Sequence, residues 1–475
     1  MEKISTSAFL VLSFLYLAAV FLIVWHARTK GNMKEWILGD KPFGWIALGL
    51  SLFSSIFSAF TFVGLPGMVH LYGISPFLMM ILPVSTIGAF LIYLIGRKIS
   101  IEGWGRQFLT PLDFFKARIT FANAREERIV LRLIFFLFCV FIIPVFIVQI
   151  AGIAKLATGF FDNQGVYYFV SSIFTIMVWF YVKKAGIRGL VEVGVFQGAV
   201  AFIIVMALFG MVLHWNHDVP GNVLALTNSG HLSLSGPESK LPLGFLLGNV
   251  LAFGLSTIST PHIFHIVLRL ESAQASKKVA ILFGLAALSL GVMITVVGLA
   301  SVIASPNLAT PDMAVVEVIK MVFGSPELIA LAGPVFCICV VAGAMSVMDS
   351  MLFTLSTSFA VGLFDQREND EVKTKKRISL FTALMIFVCF LASLNPPAMI
   401  FKFGLIGIHF SVVLTPLLFG LFFLKEKITG KRALLSIACG VIFFALGQAL
   451  LIHVTGLGGA PWGFLAASVP VLWKK

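Results

Sequence analysis

Thirteen stretches of this chain are each apolar enough, over about 20 residues, to cross a lipid bilayer, and that repetition restricts the possible fold more than any other feature. They lie near 8–26, 43–69, 75–96, 129–158, 166–182, 189–214, 241–266, 278–304, 328–353, 378–394, 398–424, 432–453 and 459–473. No loop between them is long enough to hold a separate soluble domain. With 59% hydrophobic and 12% charged residues, and a mean hydropathy of +1.02, a soluble chain is excluded. Backbone polar groups inside a bilayer must be satisfied by the segment itself, so spans this long are helices. The expected fold class is an all-α polytopic membrane protein, one domain of about 13 transmembrane helices.

The basic residues orient it. Of the 34 Lys and Arg, only Lys3, Lys155, Lys240, Lys320 and Lys402 fall on one side; the rest occupy alternate loops, including Arg28, Lys30, the 97–132 stretch, Lys183, Lys184, Arg188, the Arg367–Arg377 run, Lys474 and Lys475. Positive loops stay cytoplasmic, which puts the N-terminus out and the C-terminus in. The net charge of +13 is therefore orientation and not a nucleic-acid footprint. The first span reads as a retained anchor, because Met1-Glu2-Lys3 is barely positive and the apolar core is too long for a signal peptide. The five cysteines, Cys139, Cys337, Cys339, Cys389 and Cys439, all lie in spans and read as packing residues.

Two spans carry interruptions. Gly49–Phe77 holds Ser51, Ser54, Ser55 and Ser58 in mid-span, then Gly64-Leu65-Pro66-Gly67, where a continuous helix is disfavoured. Freed carbonyls and hydroxyls there are hard oxygen ligands suited to a small cation. Five spans later, Phe253 to His262 is hydroxyl-rich and ends in Pro261-His262. Paired interruptions at corresponding places point to two inverted halves whose broken helices meet at the midplane. The expected layout is an anchor and loop over 1–41 and a core over 42–425. Within the core, repeat one is about 42–214 and repeat two about 241–424; two peripheral helices follow over 426–475. A secondary active transporter follows from that layout.

Several motifs resemble the sodium–solute symporters, in particular the sodium/proline branch. They are Gly64-Leu65-Pro66-Gly67 with Tyr72-Gly73, Gly186-Ile187-Arg188-Gly189 with Gln197, and Leu251-Ala252-Phe253-Gly254-Leu255 with Pro261-His262-Ile263 and Arg269. Ala344-Met345-Ser346 and Gly407-Ile408-His409-Phe410 complete the set. The resemblance runs from about Pro42 to Lys425. It implies the leucine-transporter fold, a core of two inverted five-helix halves working by alternating access. It also implies a sodium site at the Ser54, Phe57 and Gly343 carbonyls and the Ser346 hydroxyl. The solute would lie near Ser58, Phe60, Phe253, Thr257 and Pro261. At three positions where the branch carries ligand oxygens, this chain has Val347, Ile56 and Gly194; Phe60, Phe253 and Thr257 replace its aromatic pair and tyrosine. Sodium and protons both stay open as the coupling ion.

Other polar residues have a functional and a plain reading. Asp349, one turn from Ser346, is either a coupling acid or the partner of a basic loop residue. Glu192 reads as a helix-start acid or an ion-coupling residue, His265 and His409 as hydrogen-bonded helix residues or proton carriers, and Lys155 as a snorkelling side chain. The segment 215–240 reads as irregular. The expected function is a symporter in the plasma membrane that moves a small polar or organic solute with Na+ or H+. Its partners are that solute, the ion and the lipid bilayer; there is no nucleic acid and no cofactor beyond a possible sodium ion. The alternative is an uncoupled facilitator or a solute-binding sensor that retains the fold. An enzyme is not expected, since no nucleophile, base and metal-ligand set is present.

Overall fold

The computed structural model describes residues 2–27, 32–161, 164–364, 371–395 and 399–473. Arg28, Lys30, Arg367, Pro396-Pro397, Lys474 and Lys475 lie outside the described residues. Among the described residues, nine helices are long and apolar enough to cross a membrane, and a pair bent by 52° makes a tenth. Shorter apolar helices cover Trp45–Ser54, Phe60–Tyr72, Gly165–Phe180 and Gly459–Leu472.

The elements that position the site are α1 (Glu2–His26), α2 (Trp45–Ser54), α3 (Leu65–Tyr72), α4 (Ala89–Ile101), α5 (Pro111–Arg118), α6 (Ala124–Phe161) and α7 (Gln164–Trp215). They continue with α8 (Leu243–Ser259), α9 (Pro261–Val267), α10 (Ala273–Ala304), α11 (Pro326–Thr357), α12 (Glu371–Ser393) and α13 (Ile400–Ser411). Gly186, at φ 59°, divides α7 into two helices at the basic loop 183–188. Helix α10 packs along α2 and α4, and α11 along α7 and α1. A two-residue parallel ladder, Ile119–Thr120 with Ile428–Thr429, ties the loop ahead of α6 to the last helical pair.

The first interruption is displaced from where proline and glycine suggest. Residues 55–58 leave the helix, whereas Gly64-Leu65-Pro66-Gly67 is helical: a π-turn over Phe60–Gly64 feeds directly into α3. The wider turn bonds Leu65 N to Phe60 O, and Pro66, at the start of α3, needs no N–H of its own. Gly67 is required for contact instead, since a Cβ there would sit 2.6 Å from the Pro311 carbonyl oxygen. The second interruption is where Pro261 suggests, between α8 and α9, with Thr260 extended at ψ 125°.

Three further expectations change. Lys155 does not snorkel; it is mostly buried and pairs with Asp312, 157 residues away, at 2.8 Å. Segment 215–240 contains the helix Val219–Asn228, started by an Asp218 cap on the Gly221 N–H. Glu192 lies one turn beyond Arg188 and pairs with its Nε at 3.0 Å.

Candidate functional site

At the first break Ser54 Oγ and Ser55 Oγ both donate to the Ser51 carbonyl, at 3.0 and 2.7 Å, which competes with the helical ladder as α2 ends. The exposed backbone is then secured from α6. The Ala59 N–H donates to Gln149 Oε1 at 3.0 Å, and Gln149 Nε2 is itself held by the Val145 carbonyl at 3.2 Å. Gln149 is fully buried. Its polarity inside an apolar span was visible in the sequence, but its partner, 90 residues away, was not.

The two breaks touch. His262, the second residue of α9, donates from Nε2 to the Ser55 carbonyl at 3.2 Å; a carbonyl only accepts, so this nitrogen carries the hydrogen. Above this contact lies a cavity of about 80 Å³. Of the residues expected around the solute, Ser58, Phe60, Phe253 and Thr257 line it, as do Phe57, Val347 and Ile56. Pro261 is buried beside it, between the lining residues Thr260 and His262. Phe60 and Phe253 approach to 6.5 Å, and Phe60 stacks on Phe401 of α13 at 4.5 Å.

On the other side of the same contact lies a smaller cavity of about 10 Å³, lined by Ser51, Ser55, Ser346, Asp349, Ser350, His262, His265 and Thr354 among others. Of the four expected ion ligands only Ser346 lines this cavity; Ser54 adjoins it through Ser346, and Phe57 lines the larger cavity. Ser346 Oγ donates to Ser54 Oγ at 2.8 Å. A Cβ on Gly343 would be 2.9 Å from the Phe57 carbonyl oxygen, so only glycine lets that carbonyl approach α11 so closely. Ser350 Oγ extends the cluster, bonding the Ser346 carbonyl at 2.6 Å and Ser55 Oγ at 3.1 Å. Position 194 faces it too: a Cβ there would be 3.1 Å from Ser54 Oγ and 3.6 Å from Ser346 Oγ. Asp349 is 2% exposed and brings a carboxylate to this cavity from α11. Hydroxyls, carbonyls and one carboxylate make a hard oxygen set of the kind sodium takes.

Each end of the bundle is fastened. At the end away from the basic loops, Asp312 accepts from Lys155 Nζ and, at 3.3 Å, from the Ile400 N–H, which draws α6 and α13 onto the loop before residue 314. At the basic end the Leu109 carbonyl accepts from His265 Nε2 at 2.9 Å and from Arg269 Nη2 at 2.8 Å. His265 Nδ1 is then the acceptor for Thr354 Oγ1 at 3.0 Å. Burial lowers the Arg269 pKa to about 9. His409 is bonded to Asn249 Oδ1 at 2.8 Å, away from the ion cluster. Among the described residues no group of three His, Cys, Asp or Glu side chains is placed to hold a metal.

A family model for the sodium:solute symporter family matches residues 36–440. The sodium/pantothenate symporter of Escherichia coli (strain K12) is 25% identical over 460 residues, covering 93% of this chain and 90% of that protein. A sodium/proline symporter of Staphylococcus aureus is 23% identical over 379 residues, covering 78% and 70%. Among solved structures, a Na+-coupled sialic acid symporter in its substrate-bound outward-open state superposes with a TM-score of 0.78 at 14% identity, covering 98% of this chain and 97% of that one. MHP1, a nucleobase-cation-symport-1 family transporter in a closed conformation, gives 0.57 at 14% identity, covering 92% of each chain.

Proposed function

The chain belongs to the sodium:solute symporter family and is a multi-pass membrane symporter, and on that premise we propose that it carries a small organic solute in the upper cavity and a sodium ion in the serine cluster below. Pantothenate and proline, named in the relatives, set the class of the solute as a small organic molecule. The observation that carries this reading is the His262–Ser55 contact, which joins the two breaks and divides the two cavities. Sodium would be held by the Ser54, Phe57 and Gly343 carbonyls and the Ser346 hydroxyl. Asp349 supplies the negative charge that positions 56 and 194 lack.

Alternating access follows from the fastened ends. With both closed, solute and ion are enclosed in a dry interior, where the attraction between a cation and oxygen dipoles is strong. Opening the outer end requires the Lys155–Asp312–Ile400 contact to separate; opening the basic end requires His265 and Arg269 to leave Leu109. The inverted halves run over about 42–214 and 241–424, with thirteen crossings, the N-terminus outside and the C-terminus in the cytoplasm. Family membership does not favour an uncoupled facilitator or sensor. The test is uptake into proteoliposomes under an imposed sodium or proton gradient. Accumulation should follow sodium, and Ser346→Ala should raise the sodium needed for half-maximal uptake about tenfold, as loss of one charge-assisted ligand does. Equilibration without accumulation, or sodium dependence unchanged in Ser346→Ala, would overturn the assignment.

A further inference from the structure

The upper cavity has a polarity of its own. Among the described residues that line it, none is Lys, Arg, Asp or Glu, so a head group there is received by hydrogen-bond partners and not by a counter-charge. The wall formed by α8 and α9 is different in hydrogen-bond character from the wall formed by the first break. Ser256 Oγ and Thr257 Oγ1 both donate to the Phe253 carbonyl, at 3.3 and 2.9 Å, and Thr260 Oγ1 donates to the Thr257 carbonyl at 3.0 Å. Each hydroxyl has thus spent its only hydrogen on a backbone carbonyl of α8 and keeps lone pairs alone. His262 completes the wall. With Nε2 committed as donor to Ser55, neutral His262 has an acceptor at Nδ1, and that atom is buried with no partner among the described residues. An unmet buried acceptor is costly, and a bound donor relieves it. The rest of the lining is largely apolar, including Phe57, Phe60, Met80, Val84, Phe141 and Phe253. At about 10–15 Å³ for each water-sized body, the volume accepts roughly five to eight non-hydrogen atoms in this conformation.

We propose that this cavity selects a compact solute with an apolar body and a hydrogen-bond-donating head, an ammonium or amine group, received by the acceptor wall of His262, Thr260, Thr257 and Ser256. The assignment rests on the symporter reading above and adds the solute's class and orientation. Ser58 Oγ, which accepts from the Phe60 N–H at 3.2 Å and keeps its own hydrogen, lies on the opposite wall and serves any acceptor the solute carries. A carboxylate with no donor meets lone pairs on the α8–α9 side and is disfavoured there.

Thermal stability of the purified full-length chain in sodium chloride or potassium chloride tests this with isobutylamine, isobutyrate and valine as probes. Isobutylamine and valine should raise the transition temperature in sodium, and isobutyrate should not. Thr257→Val, which removes one acceptor without touching either break, should weaken isobutylamine binding about tenfold, and His262→Ala should do at least as much. Isobutyrate binding as tightly as isobutylamine, no shift with either donor-bearing probe, or amine affinity unchanged in Thr257→Val would each overturn the assignment. Gradient-driven uptake of the same probes separates it from the reading it rests on. Sodium-driven accumulation of isobutyrate leaves the symporter standing and removes the donor-head assignment. Isobutylamine that binds as expected, yet accumulates under no gradient, keeps the cavity assignment and removes the transport reading.

Discussion

Asp349 and Asp312 are two buried acids in different surroundings. Asp349 sits with Ser51, Ser346 and Ser350 in a space that holds about one small body. A carboxylate at membrane depth is expensive unless a cation or proton accompanies it. Asp349→Asn should therefore remove the pH dependence of uptake and weaken sodium activation together; a wild-type pH profile in that variant would leave the acid a structural role. Asp312 has its charge met by Lys155 in this closed arrangement. Removing one partner strands the other, at a cost of about 3–5 kcal/mol. Lys155→Met should lower the transition temperature markedly, and Lys155→Met with Asp312→Leu should recover part of the loss, as a double-mutant cycle will show. The plain reading of His265 and His409 as hydrogen-bonded side chains agrees with their bonds to Thr354, Leu109 and Asn249.

Among the elements, the first broken span shows what local sequence can and cannot say. Its four serines were the informative residues, because hydroxyls that bond the Ser51 carbonyl end α2 where they stand. Gly64-Leu65-Pro66-Gly67 looked like the break, yet proline is tolerated at the start of a helix and the π-turn ahead of it absorbs the mismatch. Gly67→Ala should destabilise the protein by about 1–3 kcal/mol through overpacking against Pro311, measurable in the thermal transition, without a loss of helix content. Pro261, by contrast, marked its break correctly, because the residue before a proline is pushed to extended backbone and Thr260 is. The Gln149 clamp and the Lys155–Asp312 pair were illegible for a common reason: both join residues far apart in sequence.

Helix α5 adds a pH effect. Thr110 and Asp113 cap it reciprocally, and burial pushes the Asp113 carboxyl up to about 6 against those hydrogen bonds. Its folded value lies above the ordinary 3.8, so its contribution to stability is complete below that ordinary value and is lost as pH rises through about 6. Hydrogen exchange over 111–118, corrected for intrinsic rate, should be slower at about pH 5 than at about pH 7, and Asp113→Asn should erase the difference.

For the molecule as a whole, the succession of long apolar stretches was enough to indicate a polytopic helical bundle, which follows from the bilayer as solvent, whereas the charge asymmetry of the loops bears on the orientation proposed above. They were not enough to reveal how the ends close, which depends on Leu109, His265 and Arg269 meeting in space. The proposed orientation predicts that a fluorescent protein fused after Lys475 matures and glows in a bacterial host, while alkaline phosphatase at the same place stays inactive. The reverse pattern would invert the assignment of inner and outer ends.

Ser55 and His262 together form a partition that both compartments share. Occupancy on either side is therefore felt by the same two residues, and thermodynamic reciprocity applies: the factor by which bound sodium tightens the solute must equal the factor by which the solute tightens sodium. A titration of one partner at fixed levels of the other thus yields both numbers, and loosening the partition should shrink the two factors in step.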